Sequence, residues 1–259
     1  MSSSDPGLTR RAGPADPPQF TYPAAPLRVR FLSRPNRYRA IVRPRGGGPS
    51  FAAHVPNPGR MEELLIGGET EGYAVPVNAA GRATAYDLVS VRHGRVLVSI
   101  DPRLSNRLAA QALEGGFLSG KPHGPWRPEV AYGASRIDFA RVGADGQTTG
   151  LVEVKSSNLR VGRTALFPDA PTERGTRHLR ALTFARRRGI FAGVLFLIQR
   201  PDVASFGPNA QLDPVFARAL EAAARAGVRL WAVRLRVRPD GADWLGEVPV
   251  RFSGGEERL

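Results

Sequence analysis

The feature that most constrains this sequence is a turn dipeptide, Asp145-Gly146, midway between two short runs of alternating residues. The runs, residues 135–139 (SRIDF) and 151–155 (LVEVK), alternate charged or polar side chains with apolar ones. An Asp-Gly pair between two runs of period two is a strong local indication of a β-hairpin. The sequence therefore predicts two antiparallel strands joined at this turn.

The alternation also predicts which side chains share a face of the hairpin. A turn centred on the dipeptide pairs residues whose numbers sum to 291, so that Asp138 faces Glu153 and Arg136 faces Lys155. Successive side chains of a strand point to opposite faces, so these four share one face. The other, packing face holds Ile137, Phe139, Val152 and Val154. Because Gly143 and Gly150 allow a longer loop, the shared face is predicted more firmly than the pairing.

The facing carboxylates predict a metal site. Opposed Cβ atoms lie about 4.5–5.5 Å apart, and two carboxylates this close repel unless one is protonated or a cation lies between them. Mg²⁺, or Mn²⁺ in its place, is the simplest cation, because Mg²⁺ commonly takes one or two protein carboxylates and fills its shell with waters and phosphate oxygens. Lys155 would orient or polarise an attacking water. The alternative is a solvated hairpin in which Asp138 and Glu153 pair with Arg136 and Lys155.

The charge composition favours a catalytic role for Lys155 and a polyanionic partner. Of 37 Lys and Arg residues only Lys121 and Lys155 are lysine, and an ammonium acts differently from a guanidinium at a reacting phosphate. A net charge of +14 and a pI near 11.3 make nucleic acid the leading partner, DNA before RNA. A GC-rich coding bias would explain arginine in place of lysine, but not the excess of basic over acidic residues.

Other classes of protein are disfavoured by what the sequence lacks. There is no cysteine, which removes disulfides and thiol chemistry, and there is no Gly-x-Ser-x-Gly motif of a serine hydrolase. The four histidines have no pair at metal-binding spacing. Neither a signal peptide nor a run of about 18 apolar residues is present. We expect a cytoplasmic protein with no membrane segment.

The chain divides into four predicted segments. Residues 1–26 are rich in Ser, Pro and Ala and are predicted to be a disordered basic arm. Residues 27–100 contain six short strand-like runs separated by Gly and Pro turns, which favours a small OB-like β-barrel. Residues 101–245 are predicted to be an α/β (α+β) domain, and residues 246–259 a C-terminal tail.

After an opening helix, the pattern of residues 101–245 predicts three strands, a helix, a strand, a helix and a strand. The helices are expected at residues 101–113, which open the domain, at residues 172–188 and at residues 213–225. The run 190–198 is continuously apolar, as in a buried strand, and 228–236 alternates. This order favours a mixed sheet flanked by helices.

Several further residues are candidates for the site. Glu129 begins the strand before the hairpin and can supply a third acidic group; a solvated strand end is the alternative. On the helix that begins near Thr172, one polar stripe holds Glu173, Arg177 and Arg180, and another holds Arg174 and His178. Either stripe can face substrate phosphates, although a solvated helix face is the usual explanation. Arg60, in an exposed turn near His54, suits contact with a nucleic-acid backbone.

These residues also carry a family resemblance. The chain resembles the sugar fermentation stimulation protein (SfsA-like) family over roughly residues 27–236. The matching stretches, in order, are 54–61 (HVPNPGRM), 106–108 (NRL), 129–139 (EVAYGASRIDF), 152–156 (VEVKS) and 167–175 (FPDAPTERG) leading into 178–179 (HL).

The resemblance implies an N-terminal OB-like domain, a C-terminal PD-(D/E)XK nuclease-like domain and binding to DNA. Asp138, Glu153 and Lys155 fall on the signature positions of that superfamily, with Ile137 where the signature has proline. We therefore expect a metal-dependent DNA or RNA nuclease with Asp138, Glu153 and Lys155 as catalytic groups, Asp138 and Glu153 as metal ligands, and Glu129, Glu173 and His178 as accessory groups. Arg60, Arg136, Arg174 and Arg177 are expected to bind nucleic acid. The alternatives are a noncatalytic DNA-binding regulator of sugar-utilisation genes and a structural RNA-binding module that prefers single strands.

Overall fold

The computed structural model describes residues 16–78 and 81–252. In chain order the elements are β1 (Gln19–Thr21), β2 (Leu27–Asn36), β3 (Arg39–Pro44), β4 (Phe51–His54), β5 (Glu71–Pro76), β6 (Tyr86–His93), β7 (Val96–Ser99), α1 (Arg103–Gly115), β8 (Arg127–Tyr132), β9 (Ser135–Val142), β10 (Thr148–Ser157), β11 (Leu159–Val161), β12 (Thr164–Phe167), α2 (Glu173–Arg187), β13 (Phe191–Ile198), β14 (Ser205–Pro208), α3 (Pro214–Arg225), β15 (Arg229–Arg238) and β16 (Gly241–Glu247). Within the described ranges no helix is long and apolar enough to cross a membrane.

The first domain is a closed barrel, as the sequence predicted. Five strands follow one another in the order β4-β3-β2-β5-β6, and a parallel bridge between His54 and Asp87 joins the ends of this order. β7 forms a hairpin with β6 beyond the closed part. Alternate residues point inward, so that Val29, Phe31 and Leu88 lie in one apolar core.

The second domain is a seven-stranded mixed sheet with helices on both faces, which confirms the predicted α/β class. The strand order is β1-β16-β15-β13-β10-β9-β8. β10, β13 and β15 run parallel in the middle of the sheet, and their apolar runs are buried because both faces are covered. α1 packs on one face against residues such as Val152 and Trp231. α2 and α3 pack on the other, around Phe196.

Two of the three predicted helices begin at a side-chain cap. Thr172 caps α2 by accepting a hydrogen bond from the Gly175 backbone N–H at 3.0 Å, and Asp213 caps α3 in the same way through the N–H of Phe216 at 2.9 Å. α1 is followed by the C-capping residue Gly116, whose positive φ of 80° suits glycine. A small sheet of β11, β12 and β14 was not predicted from the sequence.

The described parts of the two terminal segments form structure that was not predicted. Residues 19–21, expected in a disordered arm, form β1 and pair with β16 at the edge of the large sheet. Residues 246–252, expected in a tail, pack on the second domain: Val248 is buried, and the backbone of Phe206 exchanges hydrogen bonds with Pro249 and Arg251. Residues 1–15 and 253–259, the rest of those two segments, lie outside the described residues.

Candidate active site

The hairpin predicted from the Asp-Gly turn is present, with one bulge. Gly146 adopts a φ of 77°, and the Gly143 N–H donates to the Gln147 carbonyl at 2.8 Å to close the loop. A register shift between Thr148 and Gly150 is followed by the predicted pairing, Leu151 with Ala140 and Val152 with Phe139. The side-chain alternation near the turn therefore follows the sequence prediction.

The two strands part just beyond this pairing. The ladder ends at Phe139 and Val152, and the Asp138 Oδ2 atom accepts a hydrogen bond from the Val154 N–H at 2.7 Å. Before Phe139, β9 pairs with β8 and no longer with β10. The alternation counted from the hairpin turn therefore no longer determines which face of the sheet its side chains occupy. Ile137 accordingly packs under α2 rather than with Phe139, Val152 and Val154, which corrects the predicted face.

Glu153 is the most enclosed charged group of the hairpin, with 2% of its surface exposed. Its Oε1 atom accepts hydrogen bonds from the Lys155 ammonium and from Nδ1 of the buried His178 ring. Its Oε2 atom is buried and has no hydrogen-bond partner among the described residues. A buried carboxylate oxygen without a partner is costly, so an added ligand at this atom would be stabilising.

The two carboxylates have opposite electrostatic shifts. Burial, followed by the charge of Glu153, raises the pKa of Asp138 to about 6. For Glu153, burial opposes ionisation, but the hydrogen bonds and charges of His178 and Lys155 outweigh it and lower the pKa of this carboxyl. As pH rises, Glu153 therefore ionises before Asp138. A nearby cation would favour ionisation of Asp138 as well.

Asp138, Glu153 and Lys155 line one cavity of about 270 Å³. The remaining wall comes from the start of α1, the end of β10 and the first turn of α2, including Ser105, Asn106, Ser156, Thr172, Arg174 and Gly175. Gln199 fixes two of these groups, because its amide nitrogen donates to the hydroxyls of Ser105, at 3.0 Å, and Ser156. No role was predicted for these two hydroxyls, although Ser156 and the neighbouring Asn106 lie within stretches that carried the family resemblance.

The predicted acidic accessory groups do not join the pair. Glu129 is exposed and forms a 2.6 Å ion pair with Arg136, although its charge contributes to the raised pKa of Asp138. This ion pair also replaces the predicted facing of Arg136 and Lys155. Glu173 is exposed at the first position of α2. Across the described ranges no three Asp, Glu or His side chains form a group that could hold a metal ion.

The predicted basic residues separate into three locations. Arg174 lines the cavity and His178 supports Glu153, so this stripe of α2 faces the site. Arg177 is exposed and does not line that cavity. Arg60 is exposed on the barrel, in a second cavity that also includes Ala170 from the loop before α2.

The donor set fits a small hard cation. Mg²⁺ takes one or two protein carboxylates and keeps several waters, which agrees with two carboxylates and no third one in the cavity. A bound cation would offset both the raised pKa of Asp138, which is due to burial and then to the Glu153 charge, and the lack of a partner for the Glu153 Oε2 atom among the described residues.

The fold and the site together define a two-domain class, in which an OB-like barrel is joined to a helix-flanked mixed sheet that carries two carboxylates and a lysine in one cavity. Residues 32–100 match the family model of the SfsA N-terminal OB domain, and residues 103–241 match the sugar fermentation stimulation protein RE domain. The chain belongs to the sugar fermentation stimulation protein family, as the resemblance predicted.

Individual relatives agree with this assignment. Sugar fermentation stimulation protein homologs from Moorella thermoacetica and Symbiobacterium thermophilum are 42% and 43% identical to this chain, and each match covers 89% of this chain and 98% of the relative. A solved structure, described as Pyrococcus furiosus SfsA in complex with Ca²⁺, superposes with a TM-score of 0.79 at 30% identity, covering 90% of this chain and 99% of that one.

Proposed function

We propose that this protein is a nuclease that hydrolyses phosphodiester bonds with the help of a divalent metal ion, Mg²⁺ or Mn²⁺, and that DNA is its leading substrate and RNA the alternative. The observation that carries the proposal is the buried Glu153 carboxylate, which shares a cavity with Asp138 and Lys155 and has one oxygen that no described residue hydrogen-bonds. The relative from Pyrococcus furiosus, described in complex with Ca²⁺, supports a hard divalent cation in this family.

Asp138 and Glu153 would hold the ion. Their positions are set by the protein: Asp138 by the Val154 N–H, and Glu153 by Lys155 and His178. When bound, a divalent ion supplies Lewis-acid stabilisation of the charge that develops on the phosphate.

Lys155 and Arg174 would act on the substrate directly. The Lys155 ammonium lies beside Glu153 with 17% of its side chain exposed, so it can contact both the carboxylate and a group in the cavity. Arg174 is exposed on the cavity wall, where its guanidinium can pair with phosphate oxygens. The excess of basic residues would hold the nucleic-acid backbone with a strong dependence on salt.

The test is cleavage of labelled DNA and RNA, single- and double-stranded, by the purified protein with Mg²⁺ or Mn²⁺. Asp138→Asn and Lys155→Ala are expected to lower the cleavage rate by about 10²–10³, the usual cost of removing a group that stabilises the transition state. Lys155→Arg keeps the charge but should not restore activity, because a guanidinium is wider and does not replace a compact ammonium.

Arg174 and Arg177 provide a matched pair of variants. They are identical residues three positions apart on α2, and only Arg174 lines the cavity. Arg174→Ala should reduce cleavage, whereas Arg177→Ala should leave it close to the wild-type rate. Equal nucleic-acid binding by all variants, with no cleavage by the wild type under any condition, would instead identify a noncatalytic DNA-binding protein.

A further inference from the structure

A second surface of interest lies on the barrel, where an exposed aromatic ring stands at the tip of the hairpin formed by β2 and β3. The Tyr38 ring stands there with 51% of its surface exposed. The turn is fixed, because the Asn36 side-chain oxygen accepts a hydrogen bond from the Tyr38 N–H at 2.9 Å. The Tyr38 ring lies nearly parallel to that of His54, with an interplanar angle of 10° and centroids 6.3 Å apart.

Three exposed arginines lie in the cavity of this aromatic pair or in the adjoining one, and none of them has an acidic partner among the described residues. Arg37 and Arg39 line the cavity that contains Tyr38 and His54, and Arg60 lies in the adjoining cavity. Within residues 16–78 and 81–252 none of these guanidinium groups forms an ion pair, although many other arginines of the chain do, and Glu62 is the only carboxylate residue lining either cavity. Unpaired guanidinium groups beside an exposed ring are suited to an anionic ligand with aromatic groups.

Arg34 holds the loops of this surface in place through four hydrogen bonds to backbone carbonyls. Its guanidinium donates to the carbonyl oxygens of Gly59 and Arg60, each at 2.7 Å, to that of Asn57 at 3.0 Å, and to that of Arg37 at 2.7 Å. One side chain thereby ties the hairpin tip to the loop before Met61. Arg37 and Arg60 are held on one surface before any ligand arrives.

This surface lies next to the candidate active site. The two cavities on the barrel share Asn36 and Arg37, and the second is also lined by Ala170, two residues before Thr172 in the wall of the active-site cavity. The barrel loop that contains Gly59 packs closely against the segment before α2, since a β-carbon at Gly59 would overlap the Asp169 carboxylate. A chain molecule bound at Tyr38 can therefore continue past Arg60 towards Arg174 and Lys155.

We propose that Tyr38 is a stacking platform for a nucleobase of single-stranded nucleic acid, that Arg37, Arg39 and Arg60 bind the adjoining phosphates, and that the bound strand continues to the cavity of Asp138 and Glu153. The destination of the strand rests on the proposed nuclease function; the stacking site does not. A single strand is required because the faces of bases in a duplex are covered by their neighbours, whereas an unpaired base can lie on an exposed ring.

The experiment measures binding by the full-length protein in the presence of EDTA, so that no cleavage takes place. The probes are labelled oligo(dT) and oligo(U) of about 12 nucleotides, within the range that one OB-type barrel binds, and a blunt duplex of the same length. The variants are Tyr38→Ala, Tyr38→Phe and, as a matched control, Phe184→Ala, which removes another ring that is 56% exposed but lies on α2. Thermal unfolding checks that each variant is folded.

We expect Tyr38→Ala to raise the Kd for a single strand about tenfold, in line with the loss of one stacked base. Tyr38→Phe and Phe184→Ala should stay close to wild type, and duplex binding should be unaffected. Combined Arg37→Ala and Arg60→Ala should reduce the slope of log Kd against log salt by about 1.4, or about 0.7 for each lost phosphate contact on a single strand. The two labelled probes show whether DNA or RNA is preferred.

Unchanged single-strand binding by Tyr38→Ala would overturn the proposal, as would an equal loss of single-strand and duplex binding, or no single-strand binding by the wild type. Cleavage with Mn²⁺ is scored separately. If Tyr38→Ala loses single-strand binding while the wild type cleaves nothing, the stacking site stands and the nuclease proposal fails.

Discussion

Replacing His178 by phenylalanine is expected to destabilise the protein through the charge on Glu153. The ring of His178 is buried, and its Nδ1 must carry the hydrogen that bonds Glu153, because an ionised carboxylate only accepts. Phenylalanine keeps the ring volume and removes this donor. Lys155 is then the only side chain among the described residues that donates to the carboxylate.

The size of the effect follows from that single bond. A hydrogen bond to a charged group contributes about 1.5–3 kcal/mol, and the buried carboxylate is left less well neutralised, so we expect a loss of about 2–3 kcal/mol. At about 2–4 °C per kcal/mol for a chain of this size, Tm should fall by about 4–12 °C. Circular dichroism and calorimetry of the metal-free protein measure the change. Thr176→Val, a buried change on the same helix, is the control and should cost less than about 1 kcal/mol.

A double-mutant cycle isolates the cause. If His178 acts through the Glu153 charge, His178→Phe should cost much less in a Glu153→Leu background, because no carboxylate remains to be neutralised. Two outcomes would refute this reasoning: additive effects in the cycle, or a loss no larger than that of Thr176→Val.

Three further predictions concern the ion, the pH and the domain contact. At a free Mn²⁺ concentration of about 100 Kd, binding should stabilise the wild type by about 2.7 kcal/mol in a thermal-shift assay, and Asp138→Asn should abolish most of that shift; an equal shift in both would place the ion elsewhere. Without metal, burial and then the Glu153 charge raise the pKa of Asp138 to about 6, against about 3.9 when unfolded, so the folded state binds more protons between these values. The free energy of unfolding should therefore fall as pH rises from about 4 to about 6, and denaturant titrations of Asp138→Asn should show a flatter profile. Gly59→Ala should lower the free energy of unfolding by about 1 kcal/mol, because its β-carbon meets the Asp169 carboxylate, which must move. Gly46→Ala, whose β-carbon would meet no described atom within 4 Å, should be nearly neutral in the same unfolding assay.

The sequence predicted the local parts of the site because short-range rules govern them. The Asp145-Gly146 turn and the period of two placed Val152 opposite Phe139, since both are set within about twenty residues of chain. The same rules located the barrel strands and the start of α2 near Thr172. They failed at Ile137 and Arg136, where β9 leaves β10 and a third strand becomes the only partner.

Other features depended on contacts between distant segments. Residues 19–21 contain too few apolar positions to predict a strand, and they become one because β16, more than two hundred residues later, offers an unpaired edge. The sequence placed Arg174 and Arg177 on two different polar stripes of α2, either of which could face the site, and only the packing of α2 beside β10 brings Arg174 to the cavity. Periodicity thus determined which side chains share a face of a strand or helix, whereas tertiary packing decided which element covers each face, because that choice depends on non-local surfaces that no local pattern describes.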